Sequence, residues 1–302
     1  MQIKTISEEL KKKYKTKVYK LSLQTGCSCP NRDGKLSYGG CIFCSEGGSG
    51  DFASPLLPID QQIELAKARV AKKIPASISE DKRLYIAYFQ SYTNTYKPAS
   101  ELYPIFKAAI MRKDIVEISI GTRPDCLPDD ILDMLTELNK IKDITIELGL
   151  QTIHEKTARL INRGYELETF AESYKKLKER GLKVVVHTII GLPGEDKDDL
   201  LATMDYLNSL NPKLDGIKLQ LLHILKNTKL ASMYENGELG DSALPSLDEY
   251  CDLVIATLKR LDPDIVIHRI TGDGPKSLLI APLWSSDKKR VLNTLNKKIR
   301  EA

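Results

Sequence analysis

Six apolar, β-rich runs at 18–23, 84–89, 115–120, 144–150, 184–190 and 217–225 alternate with helical patterns. This rhythm limits the folds open to the chain more than any other feature. Pro58-Ile59-Asp60 opens a helix through Lys73, and Pro98 to Arg112 forms a second. Pro128-Asp129-Asp130 opens a third through Lys140, with the proline and acids that suit a first turn. Glu166 to Arg180 stops at Gly181, and Asp196 to Leu210 stops at Asn211-Pro212. Strands that alternate with helices pair in parallel through right-handed crossovers, and continuous apolar runs fit strands buried on both faces. A Rossmann-like open sheet and a TIM-like barrel share this order. No G-x-G-x-x-G follows the first strand, and each strand runs into polar or Gly-containing residues at its C-terminal end, where a barrel has its active face.

The first of these strand ends carries Cys29-Pro30-Asn31-Arg32-Asp33-Gly34 and Gly39-Gly40-Cys41-Ile42-Phe43-Cys44, three thiols spaced C-x11-C-x2-C in one Gly-rich loop. Such a loop has little core of its own, so its thiolates need a metal to hold them. Structural zinc takes four closed ligands, whereas a four-iron, four-sulfur cluster on three cysteines leaves one iron open. With Cys27 counted, Cys27-x-Cys29 and Cys41-x2-Cys44 also read as a zinc knuckle. Six cysteines in 302 residues is not a disulfide framework. Cys251 shares a helical face with Leu247, Val254 and Leu258 and reads as core; Cys126 reads as a buried small hydrophobe.

The other strand ends carry polar sets. Phe89 to Tyr96 is polar and aromatic, and Arg123 in Gly121-Thr122-Arg123-Pro124-Asp125 is suited to clamping a carboxylate. Glu147 interrupts an apolar strand and needs a partner if buried. Gln151 follows at that strand's end, then Asn162-Arg163-Gly164. His187 precedes Gly191-Leu192-Pro193-Gly194-Glu195, whose glycines admit a flat ligand, and the sixth strand holds Lys218, Gln220 and His223. Residues after about 226 break the rhythm with turns at Asn236-Gly237 and Gly240-Asp241. Ser246-Leu247-Asp248-Glu249 then caps a helix to Arg260, and the tail reads as a lid or side layer.

With 42% hydrophobic residues the chain can bury a large core as one big domain or two small ones. The net charge of +4 does not by itself indicate nucleic acid. Lys11, Lys12, Lys13, Lys15, Lys17 and Lys20 crowd the N-terminus, and Lys288, Lys289, Arg290, Lys297, Lys298 and Arg300 the C-terminal helix. These read as solvated faces or as a phosphate-contacting surface. No run reaches membrane-spanning length and the N-terminus lacks a signal peptide's apolar stretch, so a soluble cytoplasmic protein with no membrane partner is expected.

Taken together, CPNRDG…GGCIFC, FQSYTNTY, GTRPDCL, ELGLQT…NRGY, VVVHTIIGLPGE, DGIKLQLLHIL and HRITGDGP…LIAPLW resemble, in order, a radical S-adenosylmethionine (SAM) enzyme. The specific likeness is to the stand-alone YhcC/YtqA-type family, related to the radical SAM half of the Elongator catalytic subunit. The resemblance implies an α/β fold: a partial TIM-like (β/α)6 barrel over 1–225, with the cluster loop at 27–50 and a C-terminal extension at 226–302. It implies that Cys29, Cys41 and Cys44 ligate a 4Fe-4S cluster, with Cys27 a non-ligand. SAM would chelate the open iron and be cleaved by one electron to a 5′-deoxyadenosyl radical that abstracts hydrogen from substrate. Gln90 and Ser91 would meet the methionine end, and Glu147 and Gln151 ribose or methionine groups. Arg123 and Arg163 would meet the carboxylate, and His187 and Ile190 the ribose and adenine. Lys218 and His223 would face the substrate as catalytic groups. The implied reaction is remodelling or removal of a carboxymethyl-type C5 substituent of tRNA wobble uridine, since the Elongator acetyltransferase domain is not expected in this chain. The implied partners are tRNA and an electron donor such as flavodoxin or ferredoxin. A radical SAM enzyme for a small metabolite or protein side chain, and a zinc-stabilised RNA-binding module, are the competing readings.

Overall fold

The computed structural model describes residues 1–48, 53–239 and 244–302. Residues 49 and 50 of the expected cluster loop and the Gly240-Asp241 turn lie outside the described residues.

In chain order the elements are α1 (Ile6–Tyr14), β1 (Val18–Leu23), α2 (Ile59–Ala71), β2 (Leu84–Phe89), α3 (Ala99–Met111), β3 (Ile115–Thr122), α4 (Asp129–Asn139) and β4 (Ile144–Gln151). There follow α5 (Glu155–Leu160), α6 (Leu167–Glu179), β5 (Lys183–Ile190), α7 (Lys197–Ser209), β6 (Gly216–Leu221), β7 (Ile224–Leu225) and α8 (Lys229–Glu235). The chain ends with α9 (Leu247–Arg260), β8 (Val266–Arg269), β9 (Leu279–Ala281) and α10 (Lys288–Glu301). Seven strands form one sheet in the order β1-β2-β3-β4-β5-β6-β8, each pair parallel. This is an open partial barrel with a gap between β1 and β8.

The expected barrel is present, with two corrections. The six-strand count is one short, because the tail supplies β8. Its strand VIHR has only four residues and carries two polar side chains, too little apolar pattern to read as a buried strand. The sixth run also stops early: β6 ends at Leu221, and Ile224–Leu225 turns away to pair antiparallel with β9.

Side-chain alternation divides the sheet into two faces. Tyr19, Leu21 and Leu23, with Ile146, Leu148, Val184 and Val186, join Phe106, Leu135, Phe170 and Val254 of the helices in one apolar core. The main core therefore lies between sheet and helices, and the opposite face is left for other residue types. At the N-terminal ends of the strands, α1 acts as a strap. Thr5 bridges Ile267 of β8, and the Ile267 N–H donates to Lys4 O at 2.8 Å. From there α1 crosses to Glu117 and Asp143, which accept from Lys13 Nζ at 2.6 and 2.7 Å.

Candidate active site

The cysteine loop leaves β1 at its C-terminal end and is held by the turn after α5. Asn31 is fully buried, and its Nδ2 donates to Asn162 O at 2.5 Å and Arg163 O at 3.1 Å. Asn162, in the left-handed region at φ 54°, returns the contact by donating to Ser37 Oγ and Gly40 O at 3.0 and 2.9 Å. Gly164 has φ +80°, and a Cβ there would run into Asn31 Oδ1. The Asn-Arg-Gly turn is therefore the dock of the thiol loop. Ile42 N–H donates to Ile161 O, and Leu230 N–H of α8 donates to Ile42 O.

Cys29, Cys41 and Cys44 are half-buried. The hydrogen bond between the Cys44 and Cys41 thiols pulls Cys41 down to about 7, helped by the charge of Arg123 and by Asn31, whose Nδ2 lies 3.7 Å from Cys41 Sγ. Cys27 instead lies 5% exposed in the main core, where burial pushes its thiol up. Burial likewise raises the thiols of Cys126 and Cys251. Among the described residues no three His, Cys, Asp or Glu side chains gather tightly enough for one metal ion. Three thiols on one loop, with Cys41 and Cys44 in mutual contact, would supply three sulfurs to a four-iron cluster and leave its fourth iron open.

Two arginines expected to meet a ligand carboxylate are largely spent within the protein. Arg163, 1% exposed, donates to the carbonyls of Tyr165, Leu150 and Thr152 and pairs with Glu155 at 3.2 Å. Arg123 forks onto Asp125 and donates to Arg163 O. The guanidinium carbons of Arg123 and Arg163 lie 5.0 and 4.6 Å, respectively, from the Tyr165 ring centroid. Tyr165 OH in turn reaches Gly149 O and Gln151 Oε1 at 2.7 and 3.2 Å. This Arg-Tyr-Arg layer braces the dock and orients Gln151, which leaves β4 at φ +66°. Gln90 stays at the end of β2, its N–H on Leu23 O, beside the buried Ser91. Ile190 is corrected: strand alternation turns its side chain into the helix-facing core, and its neighbour Ile189 shares the His187 face.

Glu147, His187 and Lys218 lie deeper than a strand-end site, in one network on the inner face of the barrel. Glu147 is 1% exposed. It pairs with Lys20 at 3.0 Å and with Lys218, and accepts from Ser119 Oγ at 2.6 Å and His187 Nε2 at 2.9 Å. Lys218 also reaches Tyr88 OH at 3.1 Å, and Gln220 Nε2 lies 3.4 Å from His187 Nδ1. Burial alone would raise the Glu147 carboxyl; Lys20, Lys218 and His187 outweigh it and hold it well below the usual range. Burial, with Lys20 and Arg269 nearby, lowers Lys218 to about 7 despite Glu147. Burial and the Lys218 charge lower His187 to about 4. His223 stands apart in the β6–β7 turn, 3.2 Å from Ser285 Oγ, and burial lowers it to about 4.

Sequence reasoning missed Lys20, Tyr88, Ser119, His268 and Arg269. Lys20 sits among the N-terminal basic residues in sequence, although its place between Tyr19 and Leu21 in an alternating strand marks it as pointing the other way.

The family model described as Radical SAM superfamily matches residues 23–207, and that described as Radical_SAM C-terminal domain matches 214–301. The chain belongs to the radical SAM superfamily. YtqA of Bacillus subtilis is 43% identical over 98% of this chain and 88% of its own length, and YhcC of Escherichia coli is 36% identical over 93% and 86%. Elongator complex protein 3 of Drosophila melanogaster is 31% identical over 56% of this chain and 30% of its own length. The structure of archaeal Methanocaldococcus infernus Elp3 overlays with TM-score 0.66 at 16% identity, covering 93% of this chain and 63% of that one. This radical SAM protein is thus an enzyme whose cofactors are SAM and a 4Fe-4S cluster. No helix among its described residues is long and apolar enough to cross a membrane.

Proposed function

We propose that this enzyme modifies the C5 substituent of tRNA wobble uridine by removing or remodelling a carboxymethyl-type group. The single observation that carries the reading is the 31% identity to Elongator complex protein 3 over 56% of this chain, supported by the overlay on archaeal Elp3. Cys29, Cys41 and Cys44 would hold the cluster. The bound pair of cluster and SAM supplies one-electron cleavage of SAM, read out as 5′-deoxyadenosine. The chain's own part is to hold the thiol loop on the Asn162–Gly164 dock, to aim Gln90, Ser91 and Gln151 at the barrel mouth, and to keep a fixed set of charges below it. Lys218 sits on that floor within reach of a substituent that enters the barrel. His223, neutral and close to Ser285, lines the β6 side. A flavodoxin or ferredoxin is the expected electron donor.

The test is anaerobic reconstitution with iron and sulfide, then incubation with SAM, reductant and bulk tRNA from a strain lacking the gene. We expect 5′-deoxyadenosine that rises with tRNA and vanishes in Cys29→Ala, and a mass change confined to wobble uridine. Unchanged wobble uridine in the deletion strain would refute the substrate.

A further inference from the structure

The inner face of the barrel carries more positive charge than it neutralises. Lys20 of β1 and Lys218 of β6 both pair with the single carboxylate of Glu147. A third cation joins them from the strand that sequence reading missed. The register of β8 slips by one residue beside Lys218, so that Arg269 stands directly opposite it. Partners across parallel strands share a face, and such a bulge re-aims a side chain. Arg269 therefore looks toward the same interior, and its charge acts on Lys218, His187 and Tyr88. Among the described residues it makes no ion pair and no side-chain hydrogen bond. His268, the residue looped out by the slip, adds a buried ring nitrogen, Nδ1, that has no partner.

Lys218 is buried and Lys20 and Arg269 are half-buried, and cations withdrawn from water in excess of their counter-charges are unfavourable unless something negative completes the set. The inward positions above Ser119 and Glu147 are Gly121 and Gly149, and over Gly149 lies the polar end of Gln151, whose Nε2 would stand 2.8 Å from a Cβ there. Lys20 and Arg269 belong to the two edge strands, on either side of the barrel gap. We propose that the barrel floor is an anion site in which Lys20, Lys218 and Arg269 receive a carboxylate carried by the substrate. The proposal rests on the uridine reading for the identity of that substrate and on the geometry alone for its charge. A carboxylate also occurs on the methionine moiety of SAM, so the test separates the two sources.

The experiment compares two anticodon stem-loop RNAs with the reconstituted enzyme, one carrying 5-carboxymethyluridine at the wobble position and one carrying its neutral methyl ester. Formation of 5′-deoxyadenosine gives kcat/KM for each. The wild type is expected to favour the acid by about tenfold or more, the size of a charge-assisted contact. Arg269→Gln and Lys20→Gln should shrink that ratio toward one, a readout that a partly folded preparation does not move. Equal use of acid and ester would overturn the anion site while leaving the uridine reading intact. If neither RNA is turned over, the uridine reading fails, and thermal unfolding with acetate against chloride at equal ionic strength, under saturating SAM, decides the site. Stabilisation by acetate that Arg269→Gln abolishes supports it. No acetate effect under SAM, or one that appears only when SAM is omitted, overturns it, the latter by assigning the floor to SAM's own carboxylate.

Discussion

Glu147 is the one carboxylate shared by two lysines on the barrel floor, and its removal should show. Glu147→Gln keeps the shape and deletes the charge, leaving buried Lys218 and half-buried Lys20 without a counter-ion. Such a break costs about 3–5 kcal/mol. Urea unfolding should report a loss of that order, and an unchanged midpoint would contradict the network. His223 offers a pH signature. Its pKa is about 4 when folded against 6.5 for an ordinary histidine, so between those values the unfolded chain binds more protons. Stability contributed by neutral His223 is complete above pH 6.5 and is lost as pH falls through 4. Between pH 6.5 and 5 the loss is about 1.5 kcal/mol. Stability against pH should be flatter across that window in His223→Gln than in the wild type; parallel curves would refute the assignment. The need of Glu147 for partners was legible from a carboxylate inside an apolar strand. Its partners were not, because Lys20, Ser119 and Lys218 come from strands whose inner faces meet only when the sheet curls.

The thiol loop and its dock work as one element. Asn31, Asn162 and Gly164 form a joint in which Gly164 is needed twice, for a φ of +80° and for room beside Asn31. Gly164→Ala should disfavour the turn by about 1–2 kcal/mol from backbone strain alone and push Asn31 away. The expected outcome is lower iron and sulfide per chain after reconstitution with little change in the helical circular dichroism. Full iron content would show that the dock is dispensable. Sequence spacing identified the thiols and flagged the Asn-Arg-Gly turn, yet it assigned Arg163 to a ligand. In the fold its donors are taken up by backbone carbonyls and Glu155, a demand that exists only once the turn closes.

On the scale of the molecule, α1 straps the end of the barrel remote from the thiols. Lys13 meets Glu117 and Asp143 near the starts of β3 and β4, whereas the cysteines follow the end of β1. A six-residue strand spans roughly 20 Å, which sets this lysine cluster at the end of the barrel away from the cluster loop, where an RNA loop engaged at the barrel mouth is not expected to contact it. Replacing Lys11, Lys12 and Lys15 together with alanine should therefore leave the salt dependence of tRNA binding unchanged; each lost phosphate contact would lower the slope of log K against log salt by about 0.7–0.9. A slope reduced by two or more would place RNA on the strap. Lys20, counted with the same group in sequence, lies instead inside the barrel.

Local patterning alone determined the alternation of strands and helices, several element ends to the residue, the thiol loop and the resemblance that implied its cofactors. These depend on short-range forces: apolar periodicity, caps and turn residues. Tertiary structure decided what no window of sequence contains. It placed β8 beside β6, turned Ile190 away from the barrel face, spent Arg123 and Arg163 on the dock, and gathered Lys20, Glu147, Lys218 and Arg269 on one floor. The physical reason is that strand alternation gives each side chain a face, but only the order, register and curl of the strands decide which faces meet.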